Sequence, residues 1–351
     1  MKFEIFGESH GEYIGAVISG FPCGIKLDFD FIKSESARRA PNGEVFSTNR
    51  IEQDNAEFIS GIYNGFSTGA PICFLIKNSD AHSSDYDENI PRPSHADFTA
   101  AMRYKNFNEK SGGGHFSGRL TACYVVIGAL CKLALNKYNI KFYSKVSKIG
   151  GIEDKPFSDG KDFDLEKLRQ NKIPVFSPAA EKEILALLEK TKAEGNSVGA
   201  KIEALALNVP KGLGGYRALQ KNLAEKFFMI PAVKAVEFGL GIEFANSSGR
   251  DVNDQYGAKK DGIKFLSNNC GGSLGGITTG EPIAAKLTFK PTPSIYTQQN
   301  SVDLRTGKCV KLAIKGRHDP CIGLRALPVA ESMMAIEILQ LLLEAYGYVN
   351  F

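Results

Sequence analysis

Four of the chain's five histidines stand beside glycine, proline or the start of a helical pattern. His10 lies in GESHG (7–11), His95 in PRPSHAD, His115 in SGGGHFSGR and His318 in KGRHDP, while His82 sits in a plain polar run. An imidazole changes charge near neutral pH and so serves as a general acid or base. Glycine lets the backbone approach a ligand closely. GESHG therefore has two readings. It is a turn whose polar residues face water, or an acid/base site on a loop. Four histidines placed this way point toward one shared site.

The residues around them suit an anion. SGGGHFSGRLTA leads from a glycine loop into a helix, where free N–H groups bind anions. Ser117 and Arg119 add a hydroxyl and a bidentate fork. No Gly-Lys-Ser/Thr follows, so this is not a nucleotide P-loop, and the spacing is wrong for a dinucleotide fingerprint. A tight turn with a helix cap is the plainer reading. NNCGGSLGGITTGEPI carries a second glycine run able to lie against a flat ring or a phosphate, or to serve only as a crossover. FKPTPSI stiffens Lys290 between a strand and two prolines. KGRHDPCIGLRALPVAES gathers Arg317, His318, Asp319, Arg325 and Glu331, either as a site or as a salt-bridge network. Arg38, Arg39, Arg50 and Arg92 read as cations in loops, and several such residues near Gly/Pro turns suggest a polyanionic ligand.

The elements that must position these residues alternate along the chain. GAVISGF and APICFLIKN read as strands. SHADFTAAMRYK reads as a helix, with Ser94 at its N-cap and Asp97 completing a capping box. Residues 119–138 form the strongest helix pattern, apolar on most faces and so central. SPAAEKEILALLEKTKAEG has a Ser177 cap, Pro178 at the first helical position and Gly195 past the end. GAKIEALALNV alternates as a strand, and LPVAESMMAIEILQLLLEAYGY is a second apolar helix. TGAPICFLI and TGEPIAAKL echo one another, through chance turn chemistry or a duplicated β-rich unit. No linker separates two halves, which argues for one domain.

The net charge is +4 and the composition is that of a globular protein, 43% hydrophobic and 23% charged. That charge is too small for a nucleic-acid footprint and suits an enzyme acting on an anion. The seven cysteines form no C-x-x-C pair. Cys73, Cys123 and Cys131 lie in apolar runs as core residues, and the pattern implies a reducing compartment and no structural metal. TACYVVIGALCKLALNKY reads as too short to span a bilayer, and MKFEIFGESHG lacks a signal-peptide core. A cytoplasmic protein without membrane partners is expected.

Taken together, GESHG…SGFPCG, RPSHADFTAAMRY, SNNCGGSLGGITTGEPI, KPTPSI and KGRHDPCIGLRALPVAES closely resemble the segments of the chorismate synthase family, in order. The likeness runs from residue 3 to about residue 345. It implies one α+β domain over 1–351, a β-α-β sandwich with central helices between antiparallel sheets. It also implies a lyase of the shikimate pathway, in aromatic amino acid biosynthesis. That enzyme eliminates phosphate from 5-enolpyruvylshikimate-3-phosphate in the 1,4-anti sense to give chorismate. The family is a homotetrameric, cytoplasmic flavoprotein that needs reduced FMN without net redox change, and NADP enters through flavin reduction. No nicotinamide fingerprint is visible here, so an external flavin reductase is the expected partner.

The resemblance also implies roles. His10 would protonate the departing phosphate, His95 would serve a proton on the reduced ring, and Asp319 would assist proton transfer near it. Arg39, Arg92 and Arg119 would bind substrate, with Arg317 in the same clamp and among the flavin residues. His115, Phe116, Ser117, Pro231, Ala232, Gly275, Lys290, Pro291, Thr292, Pro293 and Ser294 would bind the flavin. The chain departs from the family at the glycine loop, where G-G-G-R-S-S-A-R-E-T becomes G-G-G-H-F-S-G-R-L-T. Val45 stands where a loop arginine is usual, although Arg50 remains. Each loss removes a charge from an anion site, and the alternative these departures favour is a flavin-binding paralogue without elimination activity.

Overall fold

The computed structural model describes residues 1–41, 54–79, 87–159, 164–215, 218–260, 262–314 and 318–347. The first half contributes β1 (Lys2–Gly7), β2 (Tyr13–Ser19), α1 (Phe29–Arg39), β3 (Ala56–Ser60), β4 (Ile62–Tyr63), β5 (Phe66–Ser67), β6 (Ile72–Lys77), α2 (Asp97–Arg103) and α3 (Thr121–Leu135). The second begins with β7 (Lys141–Ile149), β8 (Ile152–Glu153), α4 (Leu165–Gln170), α5 (Pro178–Ala193), β9 (Ala200–Leu207), α6 (Leu219–Phe228), β10 (Val233–Phe238) and α7 (Gly249–Val252). It ends with β11 (Tyr256–Lys259), β12 (Gly262–Phe265), β13 (Ser273–Leu274), β14 (Ile277–Thr278), β15 (Ile283–Phe289), β16 (Gln299–Val302), β17 (Cys309–Leu312) and α8 (Gly323–Tyr346).

One antiparallel sheet runs β1-β2-β6-β3 and the other β10-β15-β9-β7-β8. Between them α3 packs on α8, α3 touching β2 and α8 touching β7 and β9. All of α3 except Leu133 is buried, because a helix apolar all round has to be central. The two helices meet at Gly128, where a β-carbon would fall 2.5 Å from Ser332 Cα. The chain therefore adopts an α+β architecture, two central helices between antiparallel sheets.

The T-G-x-P-I echo marks a real duplication. Residues 61–72 and 272–283 share G-x-x-x-G-x-[S/T]-T-G-x-P-I. Each copy forms a hairpin with a two-residue turn and then an inner strand of its sheet, β6 or β15. Asn64-Gly65 and Gly275-Gly276 both have positive φ, the conformation a type I′ turn demands. The hydroxyls repeat as well. Ser67 Oγ donates to Pro22 O and Thr278 Oγ1 to Pro210 O, each at 2.6 Å. Strand orders β1-β2-β6-β3 and β7-β9-β15-β10 correspond, each half closing with a central helix.

Three sequence readings need correction. Ser94 does not cap α2: it sits at φ +61, and the cap position is Ala96, with no side-chain bond. Asp97 turns to Arg92 and His95 instead. The stretch 118–138 is long and apolar enough to cross a bilayer, as is α8, but 89% and 94% of their apolar windows are buried in the protein. Burial, not length, decides their role. Cys73 is half-buried; Cys123 and Cys131 are in the core. The Ser177 cap forms as read, its Oγ accepting from Ala180 N at 3.3 Å, and Gly195 takes φ +63 after the helix.

Candidate active site

A cavity of about 700 Å³ opens where the two halves meet, within the roughly 300–1,000 Å³ that small-molecule sites occupy. The first half supplies the β1–β2 turn, the C-terminal end of α1, residues 92–96, the glycine loop and the start of α3. The second supplies residues 229–232 after α6, residues 289–294 at the end of β15, His318, Asp319 and the start of α8. Corresponding ends of the duplicated units thus face one another across the space.

The glycine loop explains the histidines. Gly112, Gly113 and Gly114 all have positive φ, at +63, +100 and +52. A β-carbon on Gly112 would lie 2.4 Å from His10 Nε2, and one on Gly113 would lie 2.8 Å from His95 Cε1. Two imidazoles therefore rest on bare backbone. Ser9 N donates to Gly114 O at 3.1 Å, and His115 Nδ1 lies 3.2 Å from Gly7 O. GESHG and GGGH, far apart in sequence, are zipped together by these contacts.

His95 Nδ1 lies 2.5 Å from Asp97 Oδ1. Arg92 grips the same carboxylate through Nε at 2.7 Å and Nη2 at 2.8 Å. Burial works against the charge, yet the bonds from Arg92 and His95 hold Asp97 well below the usual carboxylate range. With Asp97 ionised, the proton on His95 belongs on Nδ1, and Nε2 is the other ring position left for chemistry. Arg92 Nη1 also donates to Ser294 Oγ at 3.2 Å.

Arg39 and Arg119 share Asp54. Arg39 Nη1 meets Asp54 Oδ2 at 2.9 Å, and Arg119 Nη1 bonds Asp54 Oδ1. Arg39 also donates to Thr121 Oγ1 and Gly118 O. Burial, then the charge of Arg325, pushes the Arg39 guanidinium down to about 10. Despite its own burial, Asp54 is held low by the two arginines. One carboxylate facing two guanidiniums leaves net positive charge at the cavity wall. Asp319 Oδ2 accepts a hydrogen bond from Arg325 Nη1 at 2.6 Å.

The sequence-expected residues divide clearly. His10, His95, Asp319, Arg39, Arg92, Arg119, His115, Phe116, Ser117, Pro231, Ala232, Lys290, Thr292, Pro293 and Ser294 all line this cavity. Pro291 lies between wall residues and is exposed. Gly275 does not reach the cavity; it forms the β13–β14 turn, where φ +57 needs glycine. Arg317, Val45, Arg50 and His82 lie outside the described residues. Sequence reasoning missed Asp54, in an unremarkable polar run, and Asn78, which bonds Arg119 Nε at 2.9 Å. It placed Asp97 wrongly and left Arg325 unassigned, although the HDP segment pointed to it. Glu331, from that same segment, faces away into a buried network with Arg38, Lys132 and Ser144.

The wall at 289–294 fits a phosphorylated ring cofactor. Thr292 Oγ1 is buried with no hydrogen-bond partner among the described residues. Lys290 is beside it, its ammonium pushed down by burial and by nearby Lys234. An orphaned hydroxyl between lysine charge and stiff prolines is what a phosphate oxygen would satisfy.

A family model described as chorismate synthase matches residues 1–343. The chorismate synthase of Pyrococcus abyssi is 45% identical over 341 residues, covering 95% of this chain and 94% of its own length. That of Methanocaldococcus jannaschii is 41% identical over 365 residues, with coverage of 99% and 96%. A solved structure titled "Crystal Structure of Chorismate Synthase" superposes with a TM-score of 0.75 at 28% identity, over 99% of this chain and 92% of that one.

Proposed function

The chain belongs to the chorismate synthase family and has that family's function, and from this premise we propose how its residues divide the work. The substrate is 5-enolpyruvylshikimate-3-phosphate and the cofactor is reduced FMN, held by His115–Ser117, Pro231, Ala232 and Lys290–Ser294. Bound reduced flavin supplies reversible electron donation that eases phosphate loss. The observation that carries the reading is the convergence of His10, His95 and Asp319 with three arginines on one cavity.

His10 acts as general acid, giving a proton to a phosphate oxygen so that the leaving group departs with less charge. His95, its Nδ1 turned to Asp97, presents Nε2 to the cavity, where it takes up and returns a proton. Asp319, oriented by Arg325, receives a proton. Arg39, Arg92 and Arg119 fix the substrate's phosphate and carboxylates. Their own carboxylate partners keep the guanidinium planes in place before substrate arrives.

The protein works as a homotetramer in the cytoplasm and draws reduced flavin from an external, NADP-linked reductase. Exposed Ile242, Tyr256, Ile263 and Leu266 offer apolar surface for self-association. An anaerobic assay with chemically reduced FMN, following chorismate absorbance, tests the whole reading. Turnover is expected with reduced flavin and not with oxidised flavin, and equal turnover without flavin refutes the cofactor assignment. His10→Ala and His95→Ala should each lower turnover by roughly ten- to ten-thousand-fold; wild-type turnover in both refutes the roles.

A further inference from the structure

Asn78 directly follows β6, an inner strand of the first sheet, and no chemistry has been attached to it. Its side chain makes three bonds. Nδ2 donates to Glu8 O at 3.1 Å and to Gly11 O at 2.7 Å. Oδ1 accepts from Arg119 Nε at 2.9 Å. Its backbone N–H adds a fourth anchor, to Glu12 O at 3.0 Å.

The two carbonyls bracket His10 in sequence. Gly11 N already closes the turn on Glu8 O at 3.1 Å, and Asn78 ties both sides of that turn to the end of β6. On the opposite side Ser9 is bonded to Gly114 O. His10 is thus carried by a turn fixed from two directions, one of them a single amide. The same amide aligns the guanidinium of Arg119, whose Nη1 goes to Asp54.

Only a short carboxamide does both jobs. Asn offers two N–H donors and a carbonyl acceptor, whereas Asp offers acceptors alone. A glutamine carries the same groups one methylene too far out. We infer that Asn78 is a positioning residue that sets the general acid and one substrate-binding arginine in register with each other. This rests on the proposed acid role of His10. Placement errors of about 1 Å in such groups cost turnover by about a hundredfold.

The two jobs separate by substitution. Asn78→Asp keeps an acceptor for Arg119 but presents oxygens to Glu8 O and Gly11 O, so the turn is released. Its turnover should fall roughly ten- to a hundredfold, while the dissociation constant of 5-enolpyruvylshikimate-3-phosphate, measured calorimetrically without flavin, stays within about threefold, the spread of a lost weak contact. Asn78→Ala loses both partners and should lose turnover and substrate affinity together. In a His10→Ala background, Asn78→Asp should cost nothing further, because the group it positions is gone. Turnover near wild type in Asn78→Asp, or an equal loss with and without His10, overturns the inference. Wild-type turnover in His10→Ala alone instead overturns the acid role, so the two failures are told apart. If the charge at position 78 prevents folding, Asn78→Gln decides: reduced turnover supports the inference and wild-type turnover refutes it.

Discussion

Asp54→Asn tests whether the cavity's charge is held in check by one buried carboxylate. Asp54 is 3% exposed and lies against both Arg39 and Arg119. An asparagine still accepts a hydrogen bond but cancels no charge. Two buried guanidiniums then face each other, with Arg325 Nε also bonded to Arg39 O at 2.9 Å. Removing one partner of a buried pair costs about 3–5 kcal/mol. Unfolding entropy near 2.1 cal/mol/K per residue gives about 0.74 kcal/mol/K for 351 residues. The expected fall in melting temperature is therefore about 4–7 °C. Arg39 and Arg119 both line the cavity, so an anion can replace the lost charge. Inorganic phosphate should raise the variant's melting temperature more than the wild type's. Calorimetry near neutral pH, in chloride and in phosphate, measures both effects. An unchanged melting temperature refutes the buried-pair reasoning, and an equal phosphate response refutes the claim that this charge faces an anion site.

Gly112→Ala places a β-carbon 2.4 Å from His10 Nε2 at φ +63; turnover should fall about a hundredfold with about 1–3 kcal/mol of lost stability, and wild-type kinetics would remove His10 from the loop. Asp97 stays ionised in the native state below its ordinary value of 3.8, so its stabilisation is complete above that pH and drains away as pH falls toward the depressed native value. Asp97→Asn should lack about 1.5–3 kcal/mol of that acid-sensitive stability, and parallel acid limbs in calorimetry would contradict the assignment. His115→Arg exchanges a ring bonded at Gly7 O for a permanent charge, and FMN affinity by fluorescence quenching should improve about tenfold. An unchanged or weaker constant in a folded variant would assign His115 to the Gly7 contact alone.

What could be read in the sequence was what is written locally. The Ser177 cap and Pro178 specify α5 by themselves, and the unbroken apolarity of 121–135 forces α3 inside. The glycine loop also announced itself, because three successive positive φ values need glycine. Asp54 could not be found this way. Its importance comes from Arg39 on α1 and Arg119 before α3, neither of which is near it in sequence. Asp97 was misread for a related reason. Three residues past Ser94 it satisfies a capping rule, but Arg92 offers a stronger, charged partner and pulls the start of α2 downstream. Gly275 shows the opposite limit: the hairpin explains its glycine completely, and the cavity lies elsewhere.

The duplication explains why one site exists where two halves are so alike. In the first half, β1 and β2 are joined by five residues, Glu8–Glu12, tight enough to hold a histidine on a turn. In the second, the corresponding β7 and β9 are separated by β8, α4 and α5, and no such turn is available. The second half instead supplies the stiff 289–294 wall and Asp319. Between them, α1 needs to be rigid for Arg39 to reach the cavity. Its neighbour Arg38 provides this. Successive helical residues point about 100° apart, so Arg38 turns away from the cavity to Glu331 on α8, bonding its two oxygens at 2.6 and 2.7 Å. Lys132 of α3 joins the same carboxylate at 2.8 Å. Burial opposes this carboxylate's charge, but Arg38 and Lys132 hold it ionised, well below its ordinary value. The ion network behind the site thus locks α1, α3 and α8 together. That lock lets adjacent arginines on one helix serve structure and chemistry separately.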